Sequence, residues 1–137
     1  MKQLDAYPTV GIIGGSRCPL VTHEIGDKDT FKIGENITVK ALHTPCHTQD
    51  SICYYVQDGD EKAVFTGDTL FHAGTYRAAV LFNYDSQVCI IAANKNAILF
   101  KGCGKFFEGT PEEMHKALNT TLASLPDDTK VYPGHEY

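Results

Sequence analysis

An α/β fold is what the sequence predicts, on three observations. Short β-type runs recur along the chain, one strongly capped helix follows them, and three of the runs end in a tight loop bearing a histidine or an aspartate. At 137 residues, with 42% apolar and 21% charged side chains, the chain is sized for one hydrophobic core, so residues 1–137 are expected to form a single domain.

Residues 9–13 form a short β-type run closed by Gly14-Gly15, and residues 37–42 alternate Ile, Val and Leu with Thr, Lys and Ala at period two. Residues 51–56 and 62–65 read as a hairpin across Gln57-Asp58-Gly59-Asp60, because glycine tolerates the positive φ such a turn needs. Thr110-Pro111-Glu112-Glu113 offers a cap, a proline in the first turn and a reciprocal Glu. Met114, Leu118, Leu122 and Leu125 then recur at helical spacing until Pro126 stops the helix. Residues 130–132 form a last short strand before 133-PGHEY-137.

Residues 75–101 have a different texture. Seventeen of the twenty-seven are apolar, without glycine, proline or a clear period. The plain reading is an inserted hairpin, since long insertions add closure entropy only logarithmically.

Twelve basic against seventeen acidic residues give a formal charge of −5 with no basic cluster, which argues against a nucleic-acid partner. Cys18, Cys46, Cys53, Cys89 and Cys103 include no C-x-x-C pair, and an odd count makes a poor disulfide framework; a reducing, cytoplasmic setting is expected. No apolar run is long enough for a membrane span, and the first residues lack the apolar core of a signal peptide. A soluble monomer is expected.

In 43-HTPCH-47 two histidines stand four apart, but Pro45 between them argues against a helix, so both are expected on a loop. The segments 39-VKALHTPCH-47, 63-AVFTGD-68 and 130-KVYPGH-135 share one design: a β-type run, then small or rigid residues, then one potential ligand. Imidazole and carboxylate suit zinc-like cations, and α/β sheets present ligands at the carboxyl ends of their strands. A lone loop histidine is ordinarily a surface residue. The shared design makes His47, Asp68 and His135 a candidate metal set. Other patterns fail: Gly102-Cys103-Gly104-Lys105 is followed by Phe106 where a phosphate loop needs Ser or Thr, His23-Glu24 lacks the second histidine of a zinc protease, and Cys46-His47 lacks a third partner.

In this order, HTPCHTQDSICYYV, VFTGDTLF, GCGKFFEGT and VYPGHEY resemble glyoxalase II, the hydroxyacylglutathione hydrolase branch of the metallo-β-lactamase fold. The resemblance implies an αββα sandwich of which the N-terminal part and the C-terminal helical region are lacking here. It implies two divalent metal ions, zinc with iron or manganese as alternatives: His47 on one, His135 on the other, and Asp68 bridging both as the catalytic carboxylate. His43 would shape the loop. Lys105, Phe106, Phe107, His135, Glu136 and Tyr137 would contact the glutathione part of a thioester substrate. The implied reaction hydrolyses S-(2-hydroxyacyl)glutathione to glutathione and a 2-hydroxy acid such as D-lactate.

The family signature T-H-x-H-x-D-H is absent, and no H-x-H occurs in the chain. Each cation would thus find one histidine and the shared Asp68, against at least three protein ligands in an ordinary catalytic zinc site. Residues 75–101 also interrupt the family run Ala-Gly-Cys-Gly-Lys-Phe, with Ala73-Gly74 on one side and Gly102-Cys103 on the other, and a retained intron or gene-model error is the hypothesis for them. Two rivals stand beside the hydrolase: another enzyme of the fold, such as a persulfide dioxygenase, and a non-catalytic fragment or pseudoenzyme binding a thiol ligand or partner. A mitochondrial location would follow if a targeting segment had been lost.

Overall fold

Period-two alternation builds the centre of the molecule, seen in a computed structural model that describes residues 11–71, 79–83, 88–92, 103 and 105–135, the segments 79–83 and 88–92 through their backbone alone. Five strands form the main sheet in the order β3-β4-β5-β6-β9: β3 Thr30–Ile33, β4 Ile37–His43, β5 Ile52–Asp58, β6 Glu61–Gly67 and β9 Lys130–Pro133. Strands β3 to β6 pair antiparallel in sequence order, and β9 joins β6 in parallel. Two reversals separate β4 from β6, so β4, β6 and β9 run the same way and their carboxyl ends share one edge. β1 Ile13–Gly14 and β2 His23–Glu24 form a separate short parallel pair.

The hairpin expected at 51–65 is present and slightly longer, turning at Gly59 with φ +56°. Of the strand expected at 9–13, only Ile13 is in β1: Gly11 and Ile12 precede it outside any strand, and residues 9–10 lie outside the described ones. His43 departs from expectation: it is the last residue of β4, paired with Ile52, and only His47 lies on the loop. Pro45 excludes a helix, but the ladder closes two residues before it.

Helix α1, Pro111–His115, starts as its cap dictates. Thr110 Oγ1 accepts from the Glu113 N–H, and the Glu113 carboxylate accepts from the Thr110 N–H at 2.8 Å. From Lys116 to Leu122 the winding widens to π, with the Ala123 N–H reaching the Leu118 carbonyl at 2.9 Å, and the helix ends three residues short of Leu125. Met114 and Leu118 are nonetheless fully buried.

One sheet face carries Leu42 opposite Cys53 and Tyr55 opposite Val64, and Leu122, Leu125 and Val131 pack against these four. A second cluster of Cys46, Leu70, Met114 and Leu118 joins the helix to the ligand-bearing edge, with Cys103 and Phe106 packed against it. On the other face Val39 and Ala41 are buried, the Tyr54 hydroxyl donates to the Ile13 carbonyl, and Phe65 stacks on Tyr132 at 5.2 Å with both rings about half exposed. Within 75–101, β7 Ala79–Asn83 and β8 Val88–Ala92 form an antiparallel hairpin separate from the main sheet. Among the described residues no helix is long and apolar enough to cross a membrane.

Candidate metal centre

Two glycines bring the ends of β6 and β9 together. Gly67 has φ +49°, where a side chain is strained, and a register shift between Phe65 and Gly67 bends β6 just before Asp68. The Gly134 N–H donates to the Gly67 carbonyl at 3.0 Å, and a Cβ on Gly134 would lie 3.1 Å from the Gly67 backbone. Such close backbones set the next residues, Asp68 and His135, side by side.

The third loop leaves β4 through a buried hydroxyl network. Thr44 Oγ1 lies 3.0 Å from Thr69 Oγ1 and 3.3 Å from Cys53 Sγ, while the Thr44 N–H donates to the Ser51 carbonyl. His43 Nε2 bonds the Gln49 carbonyl at 2.9 Å, closing the 43–49 loop on itself. His47 then faces inward.

His47 Nε2 lies 3.4 Å from Asp68 Oδ2, and His135 Nε2 lies 3.1 Å from Asp68 Oδ1. His47 Nδ1 sits 2.9 Å from the Lys105 carbonyl; since that oxygen only accepts, Nδ1 carries the proton, and in the neutral ring a lone pair on Nε2 faces the carboxylate. On the other side, Asp68 Oδ1 is buried and makes no hydrogen bond, although His135 Nε2 is within 3.1 Å: the separation is short, but the geometry is not a donor's. Acceptors facing one another this closely call for positive charge between them, supplied by a protonated ring or by a cation.

The remaining expected contacts are spread around this triad. Phe107 is exposed and meets the His47 ring edge-on at 5.0 Å, with Lys105 Nζ 5.3 Å from the Phe107 centroid. Phe106 instead turns toward the Met114 cluster, at a tight turn closed by the Phe107 N–H on the Lys105 carbonyl at 2.9 Å. Phe71 packs edge-on against His135 at 5.7 Å. Glu136 and Tyr137 lie outside the described residues. Among the described residues no three His, Cys, Asp or Glu side chains converge on one point, because the two histidines address different oxygens of Asp68.

Sequence reasoning overlooked Gln49, Glu108 and Gly109. The Gln49 N–H donates to Glu108 Oε2 at 2.7 Å, and its Nε2 donates to the Glu108 carbonyl and the Glu113 carboxylate. A Cβ on Gly109 would lie 2.4 Å from Cys46 Cα, so the 105–109 segment rests on the 46–49 loop backbone to backbone. The glycine between Glu108 and Thr110 was the available signal. Beneath this contact, burial pushes the Cys46 thiol up to about 11, and burial raises the Cys53 thiol as well.

Residues 19–135 match the model of the metallo-beta-lactamase superfamily. The chain belongs to this superfamily. A probable hydroxyacylglutathione hydrolase of Schizosaccharomyces pombe is 48% identical over 131 residues, covering 96% of this chain and 40% of that protein. The cytoplasmic hydroxyacylglutathione hydrolase of Arabidopsis thaliana is 41% identical over 141 residues, covering 100% of this chain and 43% of its own length. The crystal structure of ETHE1 from Myxococcus xanthus superposes with a TM-score of 0.64 at 28% identity, covering 99% of this chain and 47% of that one. A metallo-beta-lactamase structure from Staphylococcus aureus, at TM-score 0.61 and 21% identity, shares the fold. The fold is thus a partial metallo-beta-lactamase αββα sandwich, one helix-covered sheet of it, and the chain spans about two fifths of the curated relatives it matches.

Proposed function

We propose that this chain carries part of the active centre of a glyoxalase II, a metal-dependent hydrolase of S-(2-hydroxyacyl)glutathione thioesters. The observation that carries the reading is Asp68, whose buried Oδ1 lacks a hydrogen bond while each carboxylate oxygen faces one imidazole nitrogen. Two donors on one zinc, each about 2.0–2.1 Å from it in a tetrahedral shell, stand about 3.3–3.4 Å apart. The observed 3.4 and 3.1 Å separations lie at and about 0.2 Å below that spacing, so the donor set fits two cations: His47 with Oδ2, and His135 with Oδ1.

A bound divalent cation supplies Lewis acidity and makes water nucleophilic near neutral pH. The chain's residues do the remainder. Asp68 holds negative charge between the two imidazoles. The Lys105 carbonyl keeps the proton of His47 on Nδ1 and its Nε2 turned to the site. The Lys105 ammonium offers charge to a carboxylate of the glutathione tripeptide, and exposed Phe107 offers an apolar wall beside it. Water and thioester then yield glutathione thiol and a 2-hydroxy acid, D-lactate for the lactoyl substrate. Glu136 and Tyr137 complete the proposed substrate contacts, with Phe106 anchoring the segment in the Met114 cluster rather than facing the ligand, and a cytoplasmic monomer is the proposed setting.

The experiment is metal analysis of the purified chain, then S-D-lactoylglutathione hydrolysis with and without added zinc. Zinc-dependent turnover that Asp68→Ala abolishes supports the hydrolase. The count of two donors per cation favours a second reading, a non-catalytic member that binds a thiol ligand, and metal-free protein without turnover would support it. Within the single proposed domain, 1–137, residues 75–101 are read as an insertion from a retained intron or a gene-model error; a spliced transcript that still encodes them removes that idea.

A further inference from the structure

The metal-facing loop and the segment proposed to hold glutathione are fastened together at several points. His47 Nδ1–H donates to the Lys105 carbonyl at 2.9 Å, and Phe107 buttresses the same imidazole edge-on. The Glu108 N–H reaches the Cys46 carbonyl at 3.4 Å, while Gln49 donates to the Glu108 side chain at 2.7 Å and to its carbonyl at 3.2 Å. Lys105 and Phe107 are exposed on the outer side of this contact, with the ammonium over the ring.

One short segment therefore does two jobs with different atoms of the same residues: its backbone orients His47, and its side chains face an incoming ligand. A ligand that sets the Lys105 side chain therefore also sets the carbonyl that orients His47, and a cation that sets His47 acts back on Lys105 through the same bond. We propose that residues 105–109 couple the two sites, so that a tripeptide carboxylate at Lys105 and a divalent cation at His47 each tighten the binding of the other. Phe107 is the positioning residue. The inference rests on the site reading above but goes beyond it, because two independent sites would catalyse without any linkage between their affinities.

The test titrates the full chain with cobalt(II), followed by its visible absorption, with and without saturating S-methylglutathione, whose blocked sulfur offers no thiolate to the metal. The cobalt Kd is expected to fall at least about fivefold with the tripeptide present, and the tripeptide Kd to fall by the same factor with cobalt present. Phe107→Ala, or Phe107→Leu should the first variant lose its far-UV circular dichroism, is expected to weaken cobalt alone by about tenfold and to remove the linkage. A chain that binds both with unchanged affinities overturns the coupling and leaves the hydrolase reading intact. Failure to bind cobalt overturns both.

Discussion

A single methyl group at Gly109 is expected to prise the 105–109 segment off the 46–49 loop. The added Cβ would lie 2.4 Å from Cys46 Cα, 2.9 Å from the Cys46 carbonyl oxygen and 2.7 Å from Glu113 Oε2. Non-bonded carbons rest about 3.5–4.0 Å apart, so one backbone must withdraw by more than about 1 Å. The Glu113 carboxylate cannot simply swing aside, because it accepts from the Thr110 N–H at 2.8 Å and from Gln49 Nε2 at 3.2 Å. Overpacking costs about 1–3 kcal/mol and a weakened helix cap about 1 more, giving about 2–4 kcal/mol for Gly109→Ala. With a urea m-value of about 2 kcal/mol/M, the unfolding midpoint falls by about 1–2 M. Far-UV circular dichroism and tyrosine emission report the transition, the chain having seven tyrosines and no tryptophan. A variant whose midpoint equals the parent's refutes the backbone-to-backbone packing.

Gly134→Ala sets a Cβ 3.1 Å from Gly67 and parts Asp68 from His135, so on the proposed metal reading zinc retention after dialysis is expected to fall while the urea midpoint moves less than for Gly109→Ala; equal retention counts against the paired-glycine account. Thr44→Val leaves the buried Thr69 hydroxyl without its 3.0 Å partner and is expected to cost about 1–3 kcal/mol in urea unfolding. Native protein treated with a thiol reagent at pH 8 is expected to label exposed Cys18 ahead of Cys46 and Cys53 by peptide mapping, those two reacting only on unfolding. The Cys46 thiol stands above its ordinary value of 9.0, at about 11, so between those pH values the unfolded chain has lost a proton that the folded one keeps. Stability therefore declines as pH rises from 9 toward 11, and Cys46→Ala flattens that decline in urea titrations across the range.

Much of this architecture was legible because local chemistry and tertiary context agree. The alternation at 37–42, the turn at Gly59 and the Thr110 to Glu113 cap each answer to neighbours within a few residues. The three strand-to-loop segments were legible as a set because each repeats one local design. The strand status of His43 was not, since it depends on Ile52 across the ladder. The π winding after Lys116 carries no pattern distinct from an ordinary helix. Gln49 and Glu108 escaped notice because their meaning lies in a contact 59 residues away in sequence. Nor could spacing reveal that Lys105 supports the site through its backbone oxygen.

The parallel pairing of β6 with β9 brings Glu61 to Lys130 across 69 positions of sequence. Contacts so distant are slow to form, because the intervening chain must first surrender its freedom. Every carboxylate-to-imidazole approach to His135 waits on that closure, whereas the β4–β5–β6 meander zips locally. On the proposed metal reading, the ability to hold a cation at His135 would be acquired late in folding, and metal uptake timed after dilution from urea would become a clock for the arrival of the last strand.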